Sequence, residues 1–414
     1  MRTAGSQLMS DHQVQLLEGG RAYFPALVNA IDQGLHEVRM ETYIFDFTAS
    51  GQAVAEALER AARRGLAVYL VMDGVGTPKV PAQWRTRFDA AGVQWRVFSP
   101  LGRLGLLIPS RWRRLHRKLC VVDGQLAFCG GINILDDFFD PNHGPLAAPR
   151  FDFAVQVRGP LVRAVHEACA QFWWRLQAAR TARSAQFGSA WHALQKAVAQ
   201  GTGAASSALA HSSAGDTGQP MGAASQAELV LRDNVLNRSR IERAYRRAIG
   251  EARHDIIIAN AYFVPGGKLR KSLIHAASRG VRVRLLLQGR YEYFMQYHAA
   301  RPVYGALLAA GVEIHEYSAS FLHAKVAVID SHWATVGSSN LDPLSLLLAR
   351  EANVVVDDRP FALALQARLE RAMVEGGQRV DPQAYADRPW RQRVLDRLAY
   401  GLMRGLLFLS GKRY

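Results

Sequence analysis

The chain has 414 residues, 49% apolar and 21% charged, with 51 Lys and Arg against 35 Asp and Glu. That balance sits near the globular average and excludes a disordered, collagenous or coiled-coil chain, while the length predicts two or three domains. The formal charge of +16 favours an anionic partner: nucleic acid, an anionic lipid surface or a phosphate-bearing substrate.

Residues Met1 to Val14 contain no apolar core of a signal peptide. A spanning helix needs about 20 mainly apolar residues, and the nearest approach, Leu398 to Leu409, is shorter and broken by Arg404. The three cysteines, Cys120, Cys129 and Cys169, are too few for a disulfide framework and read as small apolar residues in a reducing compartment. A protein made and kept in the cytoplasm is expected, with room for contact at a membrane surface.

Further along, the sequence repeats itself with a period of roughly 210 residues, far too long for a solenoid. Ala62-Arg63-Arg64-Gly65-Leu66-Ala67-Val68-Tyr69-Leu70-Val71 answers to Ala277-Ser278-Arg279-Gly280-Val281-Arg282-Val283-Arg284-Leu285-Leu286. Each copy predicts a helix end, a glycine cap and a largely buried strand. Ala91-Gly92-Val93-Gln94-Trp95 then answers to Ala310-Gly311-Val312-Glu313-Ile314. Helix–strand alternation in each half predicts an α/β layered domain in duplicate. Between the halves, from about Gly201 to Ser225, the chain is mostly Gly, Ala and Ser, a composition suited to a flexible tether.

The chemistry-bearing residues sit at corresponding places in the two halves. The first half has His116-Arg117-Lys118-Leu119-Cys120-Val121-Val122-Asp123, then Gly130-Gly131-Ile132-Asn133. The second has His323-Ala324-Lys325-Val326-Ala327-Val328-Ile329-Asp330, then Gly337-Ser338-Ser339-Asn340. In each, Lys follows His by two positions, Asp by seven and Asn by seventeen. On a strand, residues two apart face the same side, so His and Lys project together.

That set suits phosphodiester chemistry. A histidine serves as nucleophile or general acid near neutral pH. The lysine offers fixed positive charge to the non-bridging phosphate oxygens as charge builds in the transition state. Asn133 and Asn340 add neutral amide donors for phosphate, and the small Gly or Ser lets backbone approach. Two copies place two histidines on opposite sides of one phosphorus, one attacking and one protonating the leaving oxygen.

HxKxxxxD followed by GG/GSxN, present twice, resembles the phospholipase D superfamily. The block Gly337-Ser338-Ser339-Asn340-Leu341-Asp342-Pro343-Leu344-Ser345-Leu346 through Arg350-Glu351-Ala352-Asn353 is similar to bacterial cardiolipin synthases. So are Glu41-Thr42-Tyr43-Ile44-Phe45 and Ala259-Asn260-Ala261-Tyr262-Phe263. The resemblance implies two pseudo-symmetric α/β sandwich halves forming one active site at their interface. It divides the chain into a first half (1–200), a linker (201–225), a second half (226–388) and a basic amphipathic C-terminal segment (389–414).

It further implies His116 as nucleophile and His323 as general acid and then base, with Lys118, Asp123, Lys325 and Asp330 completing the two motifs. The motif aspartates are expected to support the site rather than carry protons. Asp152 and Glu351, beyond each Asn, are the implied orienting carboxylates for the histidines. The implied reaction moves a phosphatidyl group from one phosphatidylglycerol, or another phospholipid such as phosphatidylethanolamine, to a glycerol hydroxyl of a second. No metal or other cofactor is expected, since the lysines take the role that cations play elsewhere. The chain also has no HExxH, paired CxxC or Walker loop.

The long bacterial cardiolipin synthases carry N-terminal spanning helices, so this chain resembles the shorter type, and its membrane attachment needs another device. Arg103, Arg111, Arg113 and Arg114, interleaved with Leu104, Leu106, Leu107, Ile108 and Trp112, form one basic-apolar stretch beside His116. From Trp390 to Leu409, Val394, Leu395, Leu398, Leu402, Leu406 and Leu409 make one helical stripe among Arg391, Arg393, Arg397 and Arg404, a pattern suited to an interfacial helix. Peripheral attachment to an anionic membrane surface, on the cytoplasmic face of the cell membrane, is expected, and nucleic acid is not. The rivals are a nuclease or a hydrolytic phospholipase of the same superfamily and, from another class, a silent membrane scaffold. The intact pair of motifs weighs against the scaffold.

Overall fold

Short runs of β-branched and aliphatic residues, each closed by a glycine or aspartate turn, build the strands. A computed structural model describes residues 9–102, 109–140, 143–183, 225–233, 237, 239–290, 294–342 and 349–409. The first half contributes β1 (Met9–Glu18), β2 (Glu37–Thr42), β3 (Ala67–Asp73), β4 (Gln94–Phe98), β5 (Arg114–Leu115), β6 (Lys118–Val122), β7 (Leu126–Gly130), β8 (Phe139–Asp140), β9 (Gly144–Pro145) and β10 (Phe153–Arg158). The second contributes β11 (Ser225–Arg232), β12 (Asp255–Asn260), β13 (Arg282–Gln288), β14 (Glu313–Tyr317), β15 (Lys325–Ile329), β16 (Trp333–Gly337), β17 (Ala349–Asp357) and β18 (Gly377–Arg379).

The strand order is β18-β14-β13-β12-β15-β16-β17-β11-β1-β10-β7-β6-β2-β3-β4. It reads nearly the same from either end. In each half three strands run parallel (β2, β3, β4 and β12, β13, β14), and an antiparallel set (β6, β7, β10 and β15, β16, β17) adjoins them. Strands β1 and β11 pair antiparallel and join the two sheets. The parallel connections run through helices, as the repeat predicts. At the ends of helices Ala49–Arg63 and Gly267–Ser278, Gly65 and Gly280 take φ of +93° and +88°, a region where a side chain is strained.

Period-two alternation explains where the core lies. In β6, Leu119 and Val121 face one cluster while Cys120 and Val122 face another; in β15, Val326 and Val328 divide from Ala327 and Ile329 in the same way. The shared cluster takes Leu119, Val121, Phe153 and Val155 from the first half and Val326, Val328, Val354 and Val356 from the second. The two sheets therefore stack face to face, and the interface between halves is the central core. The outer faces are covered by helices Gly19–Gln33, Ala49–Arg63 and Ala82–Ala91 on one side, and Arg240–Glu251, Gly267–Ser278 and Phe294–Ala309 on the other. Helices Leu161–Arg183 and Arg359–Glu375 add Val162, Val165, Leu365 and Leu369 to the shared core. The three cysteines are free and buried, and burial pushes the Cys120 and Cys129 thiols up to about 12.

Strand β11 begins at Ser225, the last residue of the expected linker, and residues 201–224 lie outside the described residues. The expected basic stretch is only partly described: residues 103–108 lie outside, and Arg114 does not reach outward. Its guanidinium sits 3.1 Å from the buried Asp73 carboxylate and also donates to the Ser99 carbonyl, while Arg111 donates to the Leu101 carbonyl. These two cations bind the chain to itself.

Helix Trp390–Leu409 packs along helix Phe294–Ala309. Its inward face is narrow and partly polar. Asp396 is buried and pairs with His298 Nδ1 at 2.8 Å and Arg388 at 3.0 Å, with Ala399 buried one turn on. The predicted apolar stripe points the other way: Trp390, Val394, Leu395, Leu398 and Leu402 are all exposed, Leu398 by 65%. The side chains of Arg404, Leu406 and Leu409 lie outside the described residues. No described helix is long and apolar enough to cross a membrane.

Candidate active site

His116 and His323 each stand just ahead of a central strand, β6 or β15, and Lys118 and Lys325 are the first residues of those strands. Each histidine is held by the opposite half. The His116 backbone N–H donates to the Arg350 carbonyl at 3.0 Å, and that of His323 donates to the Phe151 carbonyl at 2.9 Å. One residue further along, the carboxylates follow. His116 Nδ1 lies 3.1 Å from Glu351, and His323 Nδ1 lies 2.6 Å from Asp152. Each half thus supplies the carboxylate for the other half's histidine. With Nδ1 occupied, Nε2 is the free nitrogen of each ring.

The histidine side chains keep 15% and 19% exposure while Glu351 and Asp152 keep 0% and 4%, so reagents reach the imidazoles but not the carboxylates behind them. The lysines are also buried, and each ammonium donates to its own histidine's carbonyl, Lys118 at 2.7 Å. Burial and the neighbouring Lys325, only partly offset by Glu351, bring Lys118 down to about 7. Burial likewise lowers both histidines: Glu351 partly offsets it at His116, and at His323 the two lysines and His116 add to it. Two lysines and two carboxylates thus close on the pair of imidazoles.

The carboxylates respond differently. Burial pushes Asp152 up to about 6 despite Lys325 and the Phe153 N–H. At Glu351 burial acts in the same direction, but His116, Lys118 and the Ser338 hydroxyl together outweigh it and hold the group below its usual value.

Asn133 and Asn340 lie at corresponding turns beyond β7 and β16. Asn133 Oδ1 accepts the Ile44 N–H at 3.2 Å, which leaves its amide nitrogen as the donating end. Asn340 is buried, beside Asn260, whose Oδ1 accepts the Leu341 N–H at 3.0 Å. The bridges Phe45 to Ile134 and Phe263 to Leu341 bind these turns to the two Tyr-Ile-Phe and Ala-Tyr-Phe segments.

Asp123 and Asp330 do not join the constellation. Five strand residues at about 3.3 Å each put Asp123 roughly 16 Å from Lys118, at the far end of β6. There it accepts the backbone N–H groups of Leu35, His36 and Glu37, each at 2.8 Å. Asp330 does the same for Arg253, His254 and Asp255, at 2.8 to 2.9 Å. Both are motif members expected to support the site, and the support they give is at a distance, as staples that fasten the chain entering β2 or β12. Asp123→Ala leaves those donors to water and is expected to cost about 2 kcal/mol of stability. Thermal melting checks this, alongside an unchanged rate per folded molecule.

Three features escaped the sequence reading. The Tyr43 ring lies 4.9 Å from the His116 ring, with Lys118 Nζ 5.4 Å from its centroid. Arg117, between the motif His and Lys, pairs with buried Glu41, fixing the strand that carries both. Ser338 donates to Glu351. All of these residues fall within segments the sequence had already singled out, Tyr43 and Glu41 by similarity and Arg117 and Ser338 inside the motifs; nothing local marks the contacts they make.

A family model described as the phospholipase D-like domain of cardiolipin synthase matches residues 27–145 and 245–373. The chain belongs to that family. The two matched ranges carry the two histidine–lysine motifs, and each falls within one of the stacked halves. Cardiolipin synthase B of Escherichia coli strain K12 is 35% identical over 409 residues, covering 97% of this chain and 90% of that protein. A probable cardiolipin synthase of Bacillus subtilis strain 168 is 26% identical, covering 96% of this chain and 73% of the other. Among solved structures, phosphatidylserine synthase from Haemophilus influenzae Rd KW20 superposes with a TM-score of 0.62 at 10% identity, covering 96% of this chain and 93% of that one. Its likeness bears on the fold: the duplicated α/β arrangement.

Proposed function

We propose that this member of the family is a cardiolipin synthase that joins two phosphatidylglycerol molecules through a phosphatidyl-histidine intermediate. The observation that carries the reading is the exchange of carboxylates between halves, which turns two separate motifs into a single two-histidine site. His116 Nε2 attacks the phosphorus of one phosphatidylglycerol, forming a P–N bond. The bond from phosphorus to the glycerol oxygen breaks, and His323 gives that oxygen its proton. A primary hydroxyl of a second phosphatidylglycerol then loses its proton to His323 and attacks phosphorus. The P–N bond breaks, His116 is restored, and cardiolipin leaves. Glycerol is the other product.

The chain's own groups match each demand. Glu351 accepts the His116 Nδ1–H, fixes the tautomer and balances the imidazolium that forms on phosphorylation. Lys118 and Lys325, which repel each other, are relieved by the phosphodiester anion and stabilise charge on its non-bridging oxygens. The side-chain amides of Asn133 and Asn340 donate to the same oxygens.

The enzyme works peripherally on an anionic membrane surface, here read as the cytoplasmic leaflet. The support is the exposed stripe Trp390, Val394, Leu395, Leu398 and Leu402 with exposed Arg391, Arg393 and Arg397 around it, since each near-surface cation contributes about 1 kcal/mol and apolar residues insert among headgroups. Replacing Leu398 and Leu402 together by Glu is expected to weaken binding to phosphatidylglycerol vesicles by about 10-fold or more, with the fold intact by circular dichroism. Co-sedimentation measures it.

The reaction is tested on vesicles of labelled phosphatidylglycerol, with products identified by mass spectrometry beside His116→Ala. Cardiolipin with released glycerol, absent from the variant, is the expected result. Phosphatidic acid alone makes water the acceptor and the protein a phospholipase. Product only when phosphatidylethanolamine is added changes the donor. Cleavage of DNA without any lipid turnover overturns the reading in favour of a nuclease.

A further inference from the structure

The two half-sites correspond position by position and differ at several, among them Glu351 against Asp152 and Arg117 against Ala324; one difference places a hydroxyl against one carboxylate and none against the other. Ser338 follows Gly337 at the end of β16, and Gly131 follows Gly130 at the end of β7. Ser338 is fully buried; its hydroxyl donates to Glu351 Oε2 at 2.5 Å and accepts the Ala352 N–H at 3.0 Å. At Gly131 no such group fits. A Cβ there would lie 2.3 Å from Asp152 Oδ1 and 2.8 Å from Oδ2, so the carboxylate already fills the space a side chain needs. Asp152 is left with the Phe153 N–H at 2.8 Å and His323 at 2.6 Å.

We propose that Ser338 is a positioning residue that makes the half-sites unequal and thereby selects His116, rather than His323, as the attacking histidine. This rests on the two-histidine reading above. A hydroxyl donating to a carboxylate favours the anion. Glu351 is held charged and oriented to take the His116 Nδ1–H, leaving the Nε2 lone pair for phosphorus. At the other half-site no hydroxyl donates to Asp152, so its carboxyl holds a proton more readily and can share it with His323 Nδ1, leaving the Nε2 proton for the leaving oxygen. Glu351 faces His116 and Lys118. Asp152 faces Lys325, Lys118 and Arg150, yet burial outweighs them and raises it, and its charge in turn raises the buried Asp137 carboxyl.

The test compares Ser338→Ala and Ser338→Gly with the unaltered enzyme, the second variant copying the residue of the other half. Removing the donor raises the proton affinity of Glu351, so the acidic limb of the kcat/KM–pH profile moves to higher pH, by about one unit. At neutral pH kcat falls about 10- to 100-fold with KM little changed, and in a His323→Ala background label reaches His116 correspondingly more slowly. A variant that loses thermal stability yet keeps the acidic limb and the labelling rate of the parent overturns the proposal, because Ser338 then serves packing alone. If the unaltered enzyme transfers no phosphatidyl group, the underlying reading fails first, and the two failures are distinct.

Discussion

In a His323→Ala variant supplied with labelled phosphatidylglycerol, the phosphatidyl group is expected to remain on the protein, attached to His116. In His116→Ala none is expected to attach, and both variants should lose about 1,000-fold or more in turnover. The asymmetry follows from the sequence of bonds. Loss of His323 removes the acid from the first step and the base from the second, but the nucleophile and its Glu351 partner remain. The P–N bond can still form slowly and then has only unassisted water or an unactivated hydroxyl to break it. Loss of His116 removes the atom that would carry the group. Non-covalently bound lipid is released by detergent, so label that survives denaturation at neutral or alkaline pH, which spares the P–N bond, and maps to the His116 peptide decides the matter. Label on His323 in the His116 variant would reverse the assignment of nucleophile and acid.

Glu351→Gln is the second substitution with a large expected effect, a fall in kcat of about 1,000-fold or more. A histidine held by a neutral amide can settle into the wrong tautomer, and in other enzymes an Asp→Asn change behind the catalytic histidine costs about 10,000-fold. The cost here has a second source. The imidazolium ring of phosphorylated His116 carries a positive charge beside Lys118, and Lys325 also acts on it; without Glu351 that ring charge has no counter-charge at Nδ1 in a buried place. The fold is spared, because Ser338 can donate to the Gln carbonyl as it does to the carboxylate. Single-turnover kinetics should locate the loss in formation of the phosphatidyl-enzyme. Asp152→Asn, by contrast, should weigh on the proton transfers of His323. Equal, small losses in both variants would mean that the carboxylates only support the structure.

Much of this was legible in the sequence because the duplication repeats local signals: Gly65 and Gly280 at helix ends, strand runs of like length, and matching His–Lys intervals. The family resemblance also pointed to Asp152 and Glu351, by their place beyond each Asn. What could not be found is which histidine each one serves. The partners lie 171 and 235 residues apart, and their meeting depends on how two sheets stack, which leaves no local period. Membership of a motif also misleads about place. Asp123 travels with His116 along the chain, yet a strand carries it to the opposite end of the sheet, where it staples backbone. The C-terminal stripe was visible as a pattern, but only the pairing of Asp396 with His298 and Arg388 determines that the polar side docks and the leucines face outward.

The central claim, one site working by two successive displacements at a single phosphorus, is tested most directly by stereochemistry. A phosphorothioate phosphatidylglycerol of one configuration at phosphorus would be converted, and the configuration of the phosphorothioate cardiolipin determined. Each in-line displacement inverts phosphorus. Attack by His116 followed by attack by the acceptor hydroxyl therefore predicts net retention, whereas net inversion would mean direct transfer between the two lipids, with no phosphatidyl-histidine on the path.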